Sequence, residues 1–323
     1  MRKLNLYTLT ALLAACAGCT DSLSDNGEPS SSALQLISVG LAETAQTRGG
    51  VVTSIDKVKL YVANAGTLTA YNASTPSLLF TQNSGSWSST ASVEITTGST
   101  DVYACYPTDA DITAGSNLTI PVSVRKGSDS DATQKLDFTG SQQTDYLYAT
   151  KLAGITQTKR AISLTMNHAL AKVSFKIDKA TDVSEKLYLK QISILSNTNK
   201  LQVGDGSMQL TDGVLNALVS TSSVTLTGST LLSTSLSSPN VFCLMAPMTA
   251  TESVLSFSLT VAVGSENSSE LRTFKTASAT PVKWEAGKHY MYSITVNKIG
   301  GVLKNFKVED WKSDASQDTN IGI

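Results

Sequence analysis

Residues 168–178 read HALAKVSFKID. Ala169, Ala171, Val173, Phe175 and Ile177 fall on one face of an extended chain, and Lys172, Ser174, Lys176 and Asp178 on the other. Side chains alternate sides along a β-strand, so this period of two predicts a strand with one face on a core. The period recurs in VLSFSLTVAV (254–263), where Leu255, Phe257, Leu259, Val261 and Val263 align, and in KHYMYSITVNK (288–298), where Tyr290, Tyr292, Ile294 and Val296 align. Turn signals separate such runs: Asn64-Ala65-Gly66, Gly204-Asp205-Gly206, Thr211-Asp212-Gly213 and Glu285-Ala286-Gly287-Lys288. Long helical patterns are missing, and a single helical turn is expected at Asp182–Lys186. Many short strands with polar turns predict an all-β chain of sandwich or barrel type. Two such units are expected, 34–160 and 161–323, divided at the basic, polar step Gln157-Thr158-Lys159-Arg160.

The front of the chain reads as an address. In MRKLNLYTLTALLAAC (1–16), Arg2 and Lys3 precede a short apolar run, the pattern of a secretory signal. It closes on Leu13-Ala14-Ala15-Cys16, which resembles the lipobox of bacterial lipoproteins and marks Cys16 for lipidation, with Cys19 as the alternative. Residues 17–33 are small and polar and form an expected tether. After Lys3 no Lys or Arg occurs until Arg48, which precedes Gly49 and Gly50.

Composition excludes several functions. Net charge is −1 and charged residues make up only 16%, below the usual quarter. Without a basic block there is no electrostatic footprint for nucleic acid. His168 opens the HALAKVSF strand and His289 sits in the GKHYMY turn, where a lone histidine is far more often structural than catalytic, and no nucleophile-elbow, zincin, P-loop or dinucleotide motif occurs. Asp129 and Asp131 fall in a Ser/Asp loop without the Gly and distal Glu of an EF-hand. No catalytic residue, metal or cofactor is therefore expected. Cys105 and Cys243 sit among apolar residues and read either as a disulfide or as two buried thiols.

Several stretches together resemble one family. VYACYPTDADIT (102–113), TDYLYAT (144–150), LTMNHALAKVSFKI (164–177), KWEAGKHYMYSITVN (283–297) and FKVEDWKSDAS (306–316) follow the lipobox in an order similar to the fimbrillins. These are the type V pilins, subunits of the major and short fimbriae of anaerobic Gram-negative bacteria. The resemblance implies two tandem transthyretin-like β-sandwich domains, export to the outer membrane as a lipoprotein, and a cell-surface fimbrium. It also implies an Arg-specific maturation protease that cuts between Arg48 and Gly49, removing residues 34–48 as a first strand. The emptied groove then takes a strand from another fimbrial subunit, drawn from the carboxy-terminal region.

The residues fit such a removal. In ALQLISVGLAETAQTR (33–48), Ile37, Val39 and Leu41 share a face opposite Ser38 and Gly40. Losing a strand with an apolar stripe bares a groove and unpaired backbone, which an added strand restores. For the donor, GVLKNFKVEDW (301–311) offers Val302, Phe306 and Val308 on one face; the same residues also suit an ordinary last strand. The leading reading is a polymerising stalk subunit, and a tip or anchor subunit is the runner-up. A third reading is a non-polymerising surface lipoprotein that binds a glycan or a host or bacterial surface protein, with Tyr103, Tyr106, Tyr146 and Tyr148 as a stacking face. A hydrolase on a β scaffold ranks last.

Overall fold

The computed structural model describes residues 32–42, 54–127, 131–198, 200–248, 254–277, 282–298 and 301–310. Cys16, Cys19, Arg48, Gly49, Asp129 and Trp311 lie outside the described residues. The strands in chain order are β1 Gln35–Leu41, β2 Lys57–Asn64, β3 Ser77–Asn83, β4 Ser86–Ser89, β5 Thr100–Tyr106, β6 Thr113–Ala114 and β7 Leu118–Val124. Then come β8 Leu147–Ala149, β9 Leu152–Ile155, β10 Ala161–His168, β11 Ala171–Lys179, β12 Leu187–Ser196, β13 Leu201–Gln209 and β14 Leu215–Asn216. The last seven are β15 Val219–Thr221, β16 Ser223–Leu231, β17 Val241–Met245, β18 Leu255–Val263, β19 Leu271–Lys275, β20 Lys288–Val296 and β21 Gly301–Asp310.

The first sheet runs β1-β10-β8-β5-β2-β3-β4, with β9 also on β5. It curls far enough for the chain entering β1 to meet the chain leaving β4. Ala33 bridges Glu94, the Leu34 N–H donates to the Val93 carbonyl at 3.0 Å, and the Ile95 N–H donates to the Ser32 carbonyl at 2.9 Å. Its inner face buries Leu34, Leu36, Leu60, Ile95, Val102 and Leu164. The other face carries Tyr61, Tyr103 and Cys105, which pack on Leu118, Ile120 and Met208 of a second sheet, β14-β13-β7-β6, with β15 also on β13. Two further sheets, β17-β11-β20-β21 and β16-β12-β18-β19, enclose a third core and form a β-sandwich.

VLSFSLTVAV and KHYMYSITVNK lie along β18 and β20, but HALAKVSFKID is divided. His168 ends β10, a bend at Ala169 and Leu170 packs in the core between the first and second sheets, and β11 starts at Ala171. β11, β18 and β20 each send their apolar face into the third core. Lys172 and Ser174, on the opposite face of β11, are buried as well. β11 lies between β17 and β20, and neighbours cover its outer side: Ser174 Oγ lies 2.8 Å from His289 Nε2, and Lys172 Nζ sits 5.9 Å from the Phe242 ring centroid. His289 is thus a buried structural residue.

Three further sequence expectations change. Gly204-Asp205-Gly206 is not a turn but the middle of β13. There the strand passes from pairing with β15 at Leu201–Val203 to pairing with β7 at Gly204–Gln209. A Cβ on Gly206 would lie 2.3 Å from the Asn216 carbonyl oxygen, so the glycine marks a close backbone approach. No helix forms at Asp182–Lys186; the described helical turns are 3-10 turns at Ala132–Gln134 and Gln157–Lys159. Finally, pairing crosses the division expected at 160/161. β10 belongs to the first sheet, and β13 pairs with β7. Alternation marks a strand, whereas its partner is set by non-local hydrogen bonding.

Cys105 and Cys243 are free, buried thiols in separate cores, and burial pushes both up to about 12. A thiolate is therefore rare at either position near neutral pH.

Two local features make predictions. Gly213 has φ +73°, and a Cβ there would lie 2.1 Å from Tyr148 Cε1. Gly213→Ala is expected to cost about 1–3 kcal/mol, read as a lower urea midpoint; a loss under about 0.5 kcal/mol would show that the turn adapts. Asp137 caps its own loop. Burial raises its pKa, but hydrogen bonds from Ser141, Thr139 and Gln142 outweigh this and hold it at about 2. A carboxyl depressed from 3.8 stabilises the fold above that value and loses the contribution as pH falls towards 2. Wild type is expected to lose stability across that window in pH-dependent melts, and Asp137→Asn to lose less.

Candidate assembly site

β1 is a terminal strand of the first sheet, and its ladder partner is β10, in parallel register. Gln35 pairs Ala161, Leu36 pairs Ile162, Val39 pairs Leu164 and Leu41 pairs Met166. The Gln35 N–H donates to the Arg160 carbonyl at 2.9 Å, the Ala42 N–H to the Met166 carbonyl at 2.7 Å, and Ser38 Oγ to Ser163 Oγ at 2.9 Å. β8 pairs β10 only at Met166–His168. Among the described residues, Ala161–Thr165 thus have β1 as their only strand partner.

The apolar face of β1 differs from the simple alternation. A register shift between Leu36 and Ser38 inserts one residue. Leu34 and Leu36 are buried, at 5% exposure each, while Ile37 turns outward at 58%. Beyond the bulge, Val39 and Leu41 return to the core side and pack there partly buried. Of the expected stripe Ile37, Val39 and Leu41, two residues face the core, and Leu34 and Leu36 complete the set. The signal was present in the sequence: LQLISVGL carries two apolar phases, 34/36 and 37/39/41, and a bulge is the local device that joins opposite phases.

Beneath β1 lie Ile162, Leu164 and Met166 from β10 and Val93 and Ile95 from the chain after β4, all nearly inaccessible. Removing β1 would bare these side chains and the β10 edge together. Full burial of Leu34 and Leu36 with partial burial of Val39 and Leu41 contributes about 5–8 kcal/mol of apolar stabilisation. In the sequence Arg48 follows Leu41, the last residue of β1, and precedes Lys57, the first of β2.

The far end of β10 is fixed by a buried pair, His168 Nδ1 at 3.0 Å from Asp145 Oδ2. That places His168 in a structural contact beside Tyr146. The tyrosines do not form an exposed stacking face. Tyr103 and Tyr146 are buried; Tyr148 is half-buried in the same core as they are, and Tyr106 is half-buried against the core on the other face of the first sheet. Burial raises the Tyr146 phenol, although the Ser123 N–H donating to it at 2.8 Å works the other way.

The expected donor residues lie on β21, the edge strand of the sandwich, which pairs antiparallel with β20 from Gly301 to Asp310. Phe306 pairs opposite Tyr292, while Val302 and Val308 are 46% and 47% exposed. Within one chain this segment is therefore an ordinary last strand.

Comparison with known proteins gives a consistent family signal. A family model described as fimbrillin-like matches residues 44–311. A solved fimbrial protein of Bacteroides vulgatus superposes with a TM-score of 0.58 at 12% identity, over 85% of this chain and 99% of its own. A candidate cell-adhesion protein of Bacteroides ovatus gives 0.56 at 14% identity, over 88% and 99%. A further candidate, of Bacteroides uniformis, gives 0.53 at 20% identity, over 88% and 100%. At such identities the superpositions speak for the fold alone. No curated protein matches the chain.

Proposed function

Because this chain belongs to the fimbrillin-like family, whose members are structural proteins and not enzymes, we propose that it is a polymerising fimbrial stalk subunit matured by removal of β1. It is exported as a lipoprotein, lipidated at Cys16, or alternatively at Cys19, and held at the outer membrane until an Arg-specific protease cuts between Arg48 and Gly49. The observation that carries the proposal is the placement of β1. It is an edge strand, it covers the core through Leu34 and Leu36, and half of β10 has no other strand partner among the described residues. Its loss leaves, along β10, a groove matched to one apolar strand.

The donor is drawn from about residue 302 onward in a neighbouring subunit. To donate, β21 must leave β20, so ladder hydrogen bonds lost in one subunit are regained in the next. The drive then comes from covering the groove again, and persistence from the barrier to withdrawing a whole strand. The first sheet, which carries β1 and β10, serves as the acceptor end, and the sandwich that carries β21 as the donor end, of one building block.

The test is proteolysis of soluble chain lacking the signal, followed by a denaturing gel run without heating. A ladder of regularly spaced species is expected. Clean trimming after Arg48 that leaves only monomer would overturn polymerisation by this route and favour a tip, an anchor or a non-polymerising lipoprotein.

A further inference from the structure

The outer face of the β16-β12-β18-β19 sheet carries a cleft of about 400 Å³ that strand exchange does not use. Its lining is Lys135, Lys190, Gln191, Thr227, Thr260 and Leu271, around Gly228. Three of the polar groups form one rung across the sheet, since Gln191 pairs with both Thr227 and Thr260. Adjacent strands lie about 4.8 Å apart, so these groups repeat at regular spacing.

Two features of the fold shape this cleft. β12 has a register shift between Leu189 and Gln191 relative to both neighbours. Leu189 and Ile192 are both buried in the core, so Lys190 and Gln191 together occupy the outward side where regular alternation would place one residue. Bulges of this kind re-aim side chains beside functional sites. The wall bearing Lys135 is pinned as well. The Thr227 N–H donates to the Leu136 carbonyl at 2.9 Å, and Leu136 and Phe138 enter the core on either side of Asp137. Gly228 permits this, because a Cβ there would lie 2.5 Å from the Phe138 ring.

The charge is one-sided: two ammonium groups and no carboxylate line the cleft. The flanking acids are already engaged. Asp137 is held by Ser141, Thr139 and Gln142, and Glu270 by Arg272 at 2.6 Å. Leu271, 57% exposed, offers an apolar patch at the rim. Cations to take a carboxylate, hydroxyl and amide groups to take sugar hydroxyls, and an apolar surface for a ring face are the parts needed to hold an acidic sugar.

We infer that this cleft binds an acidic polysaccharide, with the carboxylate of a uronic acid unit on Lys135 and Lys190 and its hydroxyls on Gln191, Thr227 and Thr260. The site is independent of β1 and stands whether or not the subunit polymerises. The test is calorimetric titration of soluble Arg48→Ala chain, which removes polymerisation from the readout, with a short oligogalacturonate. Binding is expected, weakening at least tenfold in a Lys135→Gln/Lys190→Gln variant whose melting is unchanged, and weakening further as salt rises. The fully methyl-esterified oligomer keeps the shape and loses the charge, and is expected to bind at least tenfold more weakly to the wild-type cleft. No binding to the acid form, equal binding to acid and ester, or undiminished binding to the folded double variant would each overturn the assignment.

Discussion

Arg48→Ala precursor is expected to remain monomeric under an Arg-specific protease that converts the parent chain into a ladder. The effect is all-or-none because the first forty-eight residues present no later choice: Arg2, Lys3 and Arg48 are the only cationic side chains in them. The next arginine is Arg125, so an Arg-specific protease that leaves the body of the chain whole can release β1 intact only at Arg48. Gly49 and Gly50 beyond it add no side chains to obstruct entry to a protease cleft. Retained β1 keeps Leu34 and Leu36 over Ile162 and Leu164, so the groove stays filled. An Arg48→Ala precursor that melts with the uncut parent separates loss of cleavage from loss of folding. A ladder from uncut Arg48→Ala protein would show that assembly does not need removal of β1. The cut subunit without a donor should also melt earlier than the precursor, by the apolar cover that β1 supplies.

Trp284→Ala is expected to cost about 3–5 kcal/mol, the usual range for deleting a buried aromatic side chain. Trp284 has no accessible surface, and its indole N–H donates to the Tyr292 hydroxyl at 3.2 Å. Tyr292 in turn belongs to a three-ring cluster. It stacks on Phe175 at 5.5 Å between centroids and meets Phe257 edge-on at 4.7 Å, while Phe175 meets Phe257 at 5.1 Å. The cluster joins β11, β18 and β20 across both layers of the sandwich. Removing the indole leaves a void where the layers meet and deletes a donor within the core. A fall in Tm on the order of 10 °C follows for a chain of this size. Trp284→Phe fills part of the void and should recover part of the loss. A Trp284→Ala melt within a degree or two of wild type would show that the layers are held elsewhere.

Some of this was legible in the chain itself. The strands β11, β18 and β20 follow from their period of two. The Thr211-Asp212-Gly213 and Glu285–Lys288 turns follow from residues that tolerate or require a left-handed backbone, with Gly213 and Gly287 at φ +73° and +69°. The motif order resembled the fimbrillins, the family its fimbrillin-like match now shows. The phase of β1 was harder to read. Leu34-Gln35-Leu36 and Ile37-Ser38-Val39 are equally good alternations, and only the bulge opposite β10 decides that Leu36 enters the core and Ile37 leaves it.

Side-chain alternation is a local property, written residue by residue, so the sequence alone settled that β11, β18 and β20 are strands and which of their faces are apolar. Partnership is not local. That β10 closes on β1 from 125 positions away, as Ser38 meets Ser163, or that β13 abandons β15 for β7 at a glycine, depends on which edges the rest of the chain leaves open. Only the tertiary structure could decide those pairings, because the hydrogen bonds that make them run between segments whose own sequences look alike.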